Sequence, residues 1–143
     1  MPYEYLDDLA IADIAFVATG RDLPETFVAA AAATLNVMIE NPQDVEPRER
    51  RDLSCENEAL DLLLFDFLNE LIYYKDAGRL MLRVRDVSIS GRDGAYRLQA
   101  LAEVESLDAT RHEQRADVMA VTLHKFSLEQ VPEGWRATVI LDI

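Results

Sequence analysis

Residues 79–104 read RLMLRVRDVSISGRDGAYRLQALAEV, and this stretch decides the fold class. Apolar and polar residues alternate from position 80 to 84, which is the two-residue period of a β-strand. The phase then shifts, which predicts a bulge near Asp86. Gly-Arg-Asp-Gly at 91–94 carries the Asp-Gly signature of a hairpin turn. We expect the return strand to place Tyr96, Leu98, Ala100, Ala102 and Val104 on one face and Arg97, Gln99, Leu101, Glu103 and Glu105 on the other.

A helix is predicted upstream of this hairpin over residues 23–38. Asp22-Leu23-Pro24-Glu25 resembles a capping box, with Asp22 as N-cap and Glu25 reaching back. The middle of the helix, residues 29–33, is all alanine. Another element can therefore approach its backbone closely.

A second helix is predicted from the apolar stripe over residues 60–74, in which leucine and aromatic residues recur at steps of four and three. Ser54 is its predicted N-terminal cap and Gly78 its end. The charged stretch 41–53 between the helices has no sustained apolar period, so we predict a loop there.

The remaining segments complete an antiparallel sheet. Residues 11–18 are apolar except for Asp13 and predict a buried strand. Another strand is predicted over 117–128, and a last one over 135–142. Strands that follow helices through short turns imply helices packed on one face of the sheet. We predict an α+β two-layer sandwich with two main helices and a mostly antiparallel sheet, forming one domain over residues 1–143.

The charge balance excludes several function classes. Fourteen basic against 27 acidic residues give a net charge of −13, which repels phosphate backbones and anionic membranes. No direct nucleic-acid or membrane binding is therefore expected. Most of the excess of acidic over basic residues lies in residues 1–78. This negative charge supplies solubility or steers docking on a basic partner. A single cysteine, Cys55, excludes an internal disulfide, and the acidic N-terminus lacks a signal peptide's basic start, so the chain is predicted to be cytoplasmic.

Most motifs of catalytic and metal sites are absent, including phosphate-binding loops, GxSxG, HExxH and CxxC. His112 and His124 form a poor metal pair at a spacing of twelve and are interpreted as surface or core histidines. Cys55, at the predicted helix start, is a candidate for a lowered pKa but has no base at a recognisable spacing.

Two carboxylates remain as candidate ligands. Asp13 interrupts an apolar strand, and Asp142 follows Val-Ile-Leu as the penultimate residue. If these strands are neighbours, Asp13, Asp142 and an oxygen of Ile143 form an oxygen-only cluster suited to calcium or magnesium. In the alternative interpretation, Asp13 caps a turn and Asp142 extends into solvent.

Four stretches resemble the archease family and together cover nearly the whole chain. They are the opening with Ala12-Asp13-Ile14, the alanine-rich helix 23–38, the run Leu63 to Tyr73 around Phe-Asp-Phe-Leu-Asn-Glu-Leu, and a C-terminal third with Arg111-His112-Glu113, Ala120 to His124 and Trp135 to Ile143.

The resemblance implies an accessory protein rather than an enzyme. Archeases assist the GTP-dependent RNA ligase of tRNA splicing, promoting its guanylylation and multiple turnover. The resemblance also implies a strand–helix–strand–strand module and a metal site at Asp13, Asp142 and Ile143, with calcium or magnesium as the cation.

This chain departs from the family at two places. Ala10 and Ile11 replace a usual His-Thr pair, and Met119 replaces a lysine thought to matter for ligase activation. These departures favour, as the alternative, a chaperone-like or scaffold module that acts on a different partner. A hydrolase using Asp13 and Asp142 around a metal-bound water ranks last, because no general base or substrate pocket is recognisable nearby.

Overall fold

The described part of the chain, residues 2–6 and 13–143 of a computed structural model, forms two helices and seven strands joined by short connections. In chain order the elements are β1 (Tyr3–Leu6), β2 (Asp13–Gly20), α1 (Leu23–Met38), a 3-10 turn (Pro42–Asp44), β3 (Glu49–Asn57), α2 (Leu60–Gly78), β4 (Leu80–Arg92), β5 (Ala95–Ser106), β6 (Ala120–Val131) and β7 (Gly134–Asp142).

The strands form two antiparallel sheets, in the orders β1-β2-β7-β6 and β3-β5-β4. The predicted α+β class, with two helices and mostly antiparallel strands, is confirmed, and the strands divide between two sheets. Helix α1 packs on β2 of one sheet and on β4 of the other. Within the described residues, neither helix is long and apolar enough to span a membrane.

Helix α1 begins and ends where the sequence predicted. The Asp22 carboxylate accepts a hydrogen bond from the Glu25 backbone N–H at 2.8 Å, which satisfies a free donor of the first turn. Ala29, Ala30, Ala31 and Ala33 are all buried. Their small side chains let both sheets approach the helix.

The predicted loop over 41–53 is correct up to residue 48 and wrong beyond it, and the predicted cap at Ser54 was wrong. Residues 49–57 form strand β3, which pairs with β5 along its whole length. Leu53 is its one buried residue, because β3 is the edge of its sheet and points charged side chains into solvent. An edge strand of this kind has too little apolar alternation to be recognised. Helix α2 accordingly starts later, at Leu60 after Ala59.

The β4–β5 hairpin has the turn and the bulge that the sequence predicted. Arg92 pairs with Ala95 across the turn, and the register shifts between Val84 and Asp86 as the bulge requires. Glu105, on the face of β5 that carries its polar residues, is nevertheless only 6% exposed. The segments around Glu46 and His112 cover that end of the strand.

The predicted strand boundaries in the first sheet need smaller corrections. Strand β6 starts at Ala120 rather than at 117, and β1 over residues 3–6 was not predicted. Strand β2 is described from Asp13 onward, so positions 11 and 12 of the predicted first strand lie outside the described residues.

Candidate metal centre

Asp13 and Asp142 lie directly opposite each other at one end of the first sheet. Asp13 is the first residue of β2 and Asp142 the last of β7, and they are partners in the antiparallel register. Directly opposed residues in such a pair point to the same face, with Cβ atoms about 4.5–5.5 Å apart. The strands therefore bring together two of the three predicted ligands.

A third strand borders this pair. Ala120 of β6 is the register partner of Asp142 on its other side. The backbone N–H of Met119 donates a hydrogen bond to the Asp142 carbonyl oxygen at 2.8 Å. The backbone of Met119 therefore lies beside Asp142.

The electrostatics of the pair favour a cation. Both aspartates are half-buried, and two like charges directly opposite each other across strands are destabilising. Over residues 2–6 and 13–143, neither carboxylate has a lysine, arginine or histidine nitrogen within ion-pairing distance. A divalent cation would relieve the repulsion.

The donor set fits a hard cation, although it is small. No group of three or more His, Cys, Asp or Glu side chains suitable for a metal exists in the described part of the chain. Two carboxylates with an oxygen of the half-buried Ile143 and water are ligands that calcium and magnesium accept, whereas zinc prefers nitrogen or sulfur. The residues present therefore fit the predicted type of ion.

The other candidates from the sequence lie elsewhere. His124 is exposed, and His112 is 1% exposed in a polar cluster, so the histidines form no pair. Cys55 lies in β3 rather than at a helix start, and its pKa is raised to about 11. Burial is the main cause, and the negative charges of Glu70 and Asp66 add to it. The pKa of the Cys55 thiol is therefore raised, so this cysteine is no longer a candidate for a reactive thiolate.

The cluster around His112 is a feature that the sequence reasoning missed. His112 Nε2 lies 2.9 Å from Glu105 Oε1, which also accepts the Glu46 backbone N–H at 2.9 Å. Arg111 forms an ion pair with the other oxygen of Glu105. The Asp108 N–H donates to His112 Nδ1, so the ring proton is on Nε2 and is donated to Glu105. The cluster fastens the loops at 44–46 and 108–112 to the end of β5.

The fold and this geometry define a small α+β protein with two facing carboxylates at a sheet end. The sequence matches the Archease protein family (MTH1598/TM1083) over residues 3–143. The chain belongs to the archease family.

Relatives and solved structures agree with this assignment. Protein archease of Pyrococcus abyssi is 38% identical over 92% of this chain and 93% of its own, and that of Methanosarcina acetivorans is 34% identical over 99% and 95%. The solution structure of Methanobacterium thermoautotrophicum protein 1598 matches with a TM-score of 0.84 at 33% identity, over 99% of both chains. An archease from Thermotoga maritima, described as a possible chaperone, has the same fold, with a TM-score of 0.61 at 18% identity over 94% of this chain and 93% of its own.

Proposed function

We propose that this protein is a metal-binding accessory protein that activates the GTP-dependent tRNA-splicing RNA ligase. It promotes guanylylation of the ligase and multiple turnover, and it catalyses no reaction itself. The main support for the proposal is that Asp13 and Asp142 lie directly opposite each other in the β2–β7 pairing. These are the residues at which the family resemblance implies a metal site.

The cation in this proposal is calcium or magnesium, with calcium favoured. Calcium accepts six to eight oxygen ligands in flexible geometry, which suits two carboxylates with water and an oxygen of Ile143. A bound cation would neutralise the facing carboxylates and hold the ends of β2 and β7 together. The chain's own residues then present a fixed surface at this end of the sheet.

The charge of the protein supports a basic partner. A ligase that holds RNA needs a positive surface, and a chain with a net charge of −13 is attracted to it. Such attraction raises the association rate more than the affinity. The acidic surface also disfavours direct contact between this protein and the RNA.

Met119 is the reason to retain a second candidate function. Its side chain is 63% exposed beside Asp142, where the family usually has a lysine. An exposed methionine supplies apolar contact in place of a positive charge. The alternative is therefore a chaperone-like or scaffold module with the same fold and a different protein partner, consistent with the description of the Thermotoga maritima archease as a possible chaperone.

A multiple-turnover ligation assay tests the proposal. The purified protein is added in substoichiometric amount to its cognate RNA ligase, with GTP, divalent metal and RNA in excess. We expect turnover to rise well beyond one ligation per ligase. Asp13→Asn is expected to abolish the gain, and Asp52→Asn, which removes one carboxylate from an exposed strand position, is the matched control.

The outcomes separate the two candidate functions. If the wild-type protein binds calcium but leaves ligation unchanged, the ligase proposal fails and the scaffold alternative gains support. If Met119→Lys alone confers activation, the partner contact has changed at this position. Equal activation by wild type, Asp13→Asn and Asp52→Asn would exclude a role for the aspartate pair.

A further inference from the structure

A cleft lined by basic residues lies between the ends of the two helices. Its volume is about 390 Å³, and it is bounded by the last turns of α1 and α2, the start of β4 and the segment 107–117. Lys75, Arg79 and Arg115 line it together with the acidic Asp76 and Asp117, and neither Asp13 nor Asp142 does. Three of only 14 basic residues therefore meet in one cleft of a strongly acidic protein.

The ammonium group of Lys75 uses all its hydrogen-bond donors on neighbouring residues. Its side chain is 10% exposed, and its ammonium contacts Asp76 at 2.7 Å, Asp117 at 2.5 Å and the Val118 carbonyl oxygen at 2.5 Å. An ammonium has three donors, and these three acceptors use all of them. Lys75 therefore offsets part of the negative charge of Asp76 and Asp117 in the cleft and leaves recognition to the two arginines.

Arg79 has a backbone conformation that favours glycine. Its φ of 54° and ψ of 38° are left-handed, which costs energy for a residue with a Cβ atom. The position is fixed by hydrogen bonds, because the Arg79 N–H caps α2 at Lys75 and the Arg79 carbonyl accepts the Leu107 N–H at 2.8 Å. Glycine is the usual residue at such a helix end.

The guanidinium of Arg79 is exposed and available to a ligand. Within residues 2–6 and 13–143, it forms no ion pair with a carboxylate. Because it has no carboxylate partner in the described chain, this guanidinium is able to pair with a bound anion.

Arg115 supplies the second guanidinium. Its Nε lies 3.4 Å from Glu40 and its Nη1 donates to the Asn36 carbonyl oxygen at 3.1 Å. In the described part of the chain, Nη2 donates no hydrogen bond, and the side chain is 40% exposed. Arg115 is thus held in place by two atoms while its third nitrogen is available.

We propose that this cleft binds a small phosphate monoester. The Arg79 guanidinium and the available Nη2 of Arg115 supply two positively charged donors, which match the tetrahedral oxygens and the double charge of a phosphate better than the single charge of a carboxylate. The buried side chains of Met38 and Met81 line the same cleft and give the organic part of the ligand an apolar contact. The acidic surface elsewhere repels a phosphate polymer, so the ligand is a small molecule rather than RNA.

The test exploits a second residue with the same backbone strain. Lys125 also has a φ of 54° and is exposed, but it lies in the irregular part of β6 and does not line the cleft. Arg79→Gly and Lys125→Gly each relieve one left-handed residue and remove one positive charge. Glycine suits both positions, so both variants are expected to fold.

Binding of phenyl phosphate is measured by calorimetry at constant ionic strength, with benzoate and a short RNA as comparisons. We expect saturable binding by the wild type, and a loss of about tenfold or more in Arg79→Gly, because a charge-assisted pair is removed. Lys125→Gly should bind as the wild type does. Arg115→Gln should weaken binding in the same direction.

Several results would overturn the proposal. The first is that the wild type shows no saturable binding at phenyl phosphate concentrations up to about 10 mM, because a dissociation constant above that value is too weak for a specific site. In that case Arg79 serves only to complement the dipole at the end of α2. The second is equal weakening in both glycine variants, which indicates bulk charge. The third is binding of benzoate or RNA as tight as that of phenyl phosphate.

Discussion

His112 donates a hydrogen bond through Nε2 to the buried carboxylate of Glu105 at 2.9 Å. Glu105 is 6% exposed and His112 1%, so this contact lies inside the protein. It joins the end of β5 to two loops, because Glu105 also binds the Glu46 N–H and His112 accepts the Asp108 N–H. His112 and Glu105 therefore hold the loops at 44–46 and 108–112 against the end of β5.

Removal of the Glu105 charge should destabilise the fold. Glu105→Gln removes the one buried carboxylate that pairs with Arg111, which keeps only the more exposed Glu46 and Asp108. We expect the free energy of unfolding to fall by about 1.5–3 kcal/mol, because hydrogen bonds to a charged, buried acceptor are lost. The control is Glu103→Gln, whose carboxylate pairs with Arg85 at 3.7 Å and should cost less than about 1 kcal/mol. Urea denaturation measures both. An equal loss of stability in Glu105→Gln and Glu103→Gln would mean that the buried carboxylate of Glu105 contributes no more than an ordinary surface ion pair.

The Cys55 thiol should resist alkylation at neutral pH. Burial, together with Glu70 and Asp66, raises its pKa from 9.0 to about 11. The rate with iodoacetamide should therefore rise with a midpoint near 11 in the folded protein, and near 9.0 after unfolding in urea. The thiol favours the fold fully below pH 9.0, and this contribution is lost as the pH rises toward 11. A folded-state midpoint near the ordinary value would refute this environment.

The facing carboxylates should repel each other without metal. In a chelator-treated sample we expect Asp13→Asn to raise the free energy of unfolding by about 0.2–1 kcal/mol, because a like-charge pair is removed. Asp142→Asn should give a similar gain, and the double variant little more than either. Asp52→Asn is the control, since Asp52 lies opposite Leu101 rather than opposite a charge.

The dependence on salt shows whether the gain in stability of Asp13→Asn comes from repulsion between the two carboxylates. The gain in Asp13→Asn should shrink as ionic strength rises, because screening weakens the interaction between the partly exposed charges. Thermal or urea denaturation at two salt concentrations gives this measurement. A gain that does not depend on salt, or one equal to that of Asp52→Asn, would mean that the carboxylates do not interact.

Patterns with strong local signals predicted the fold well. The capping residues of α1, the bulge before Asp86 and the hairpin turn at 91–94 depend on nearby residues, which a sequence displays directly. Strand β3 was missed because its register with β5 is set by tertiary contact rather than by its own apolar pattern. The burial of Glu105 was missed for the same reason, since distant loops cover it.

For the candidate sites too, features with a local signal were predictable and those set by tertiary contacts were not. An aspartate in an apolar strand and another at the end of the chain were recognisable as unusual, and their pairing depended on the first and last strands being neighbours. The basic cleft was not recognisable, because Lys75, Arg79 and Arg115 come from separate segments without a common motif. The left-handed conformation of Arg79 likewise depends on the helix end, where glycine stands one residue earlier.

Calcium titration by isothermal calorimetry tests the central claim, that Asp13 and Asp142 together hold a divalent cation. After chelator treatment, the wild-type protein should bind calcium saturably, and Asp13→Asn and Asp142→Asn should each lose about tenfold or more in affinity, because one charged ligand is removed. Asp52→Asn should bind as the wild type does, and magnesium should compete. A wild-type titration without saturable heat, or an affinity unchanged by loss of either aspartate, would show that Asp13 and Asp142 do not form a metal site.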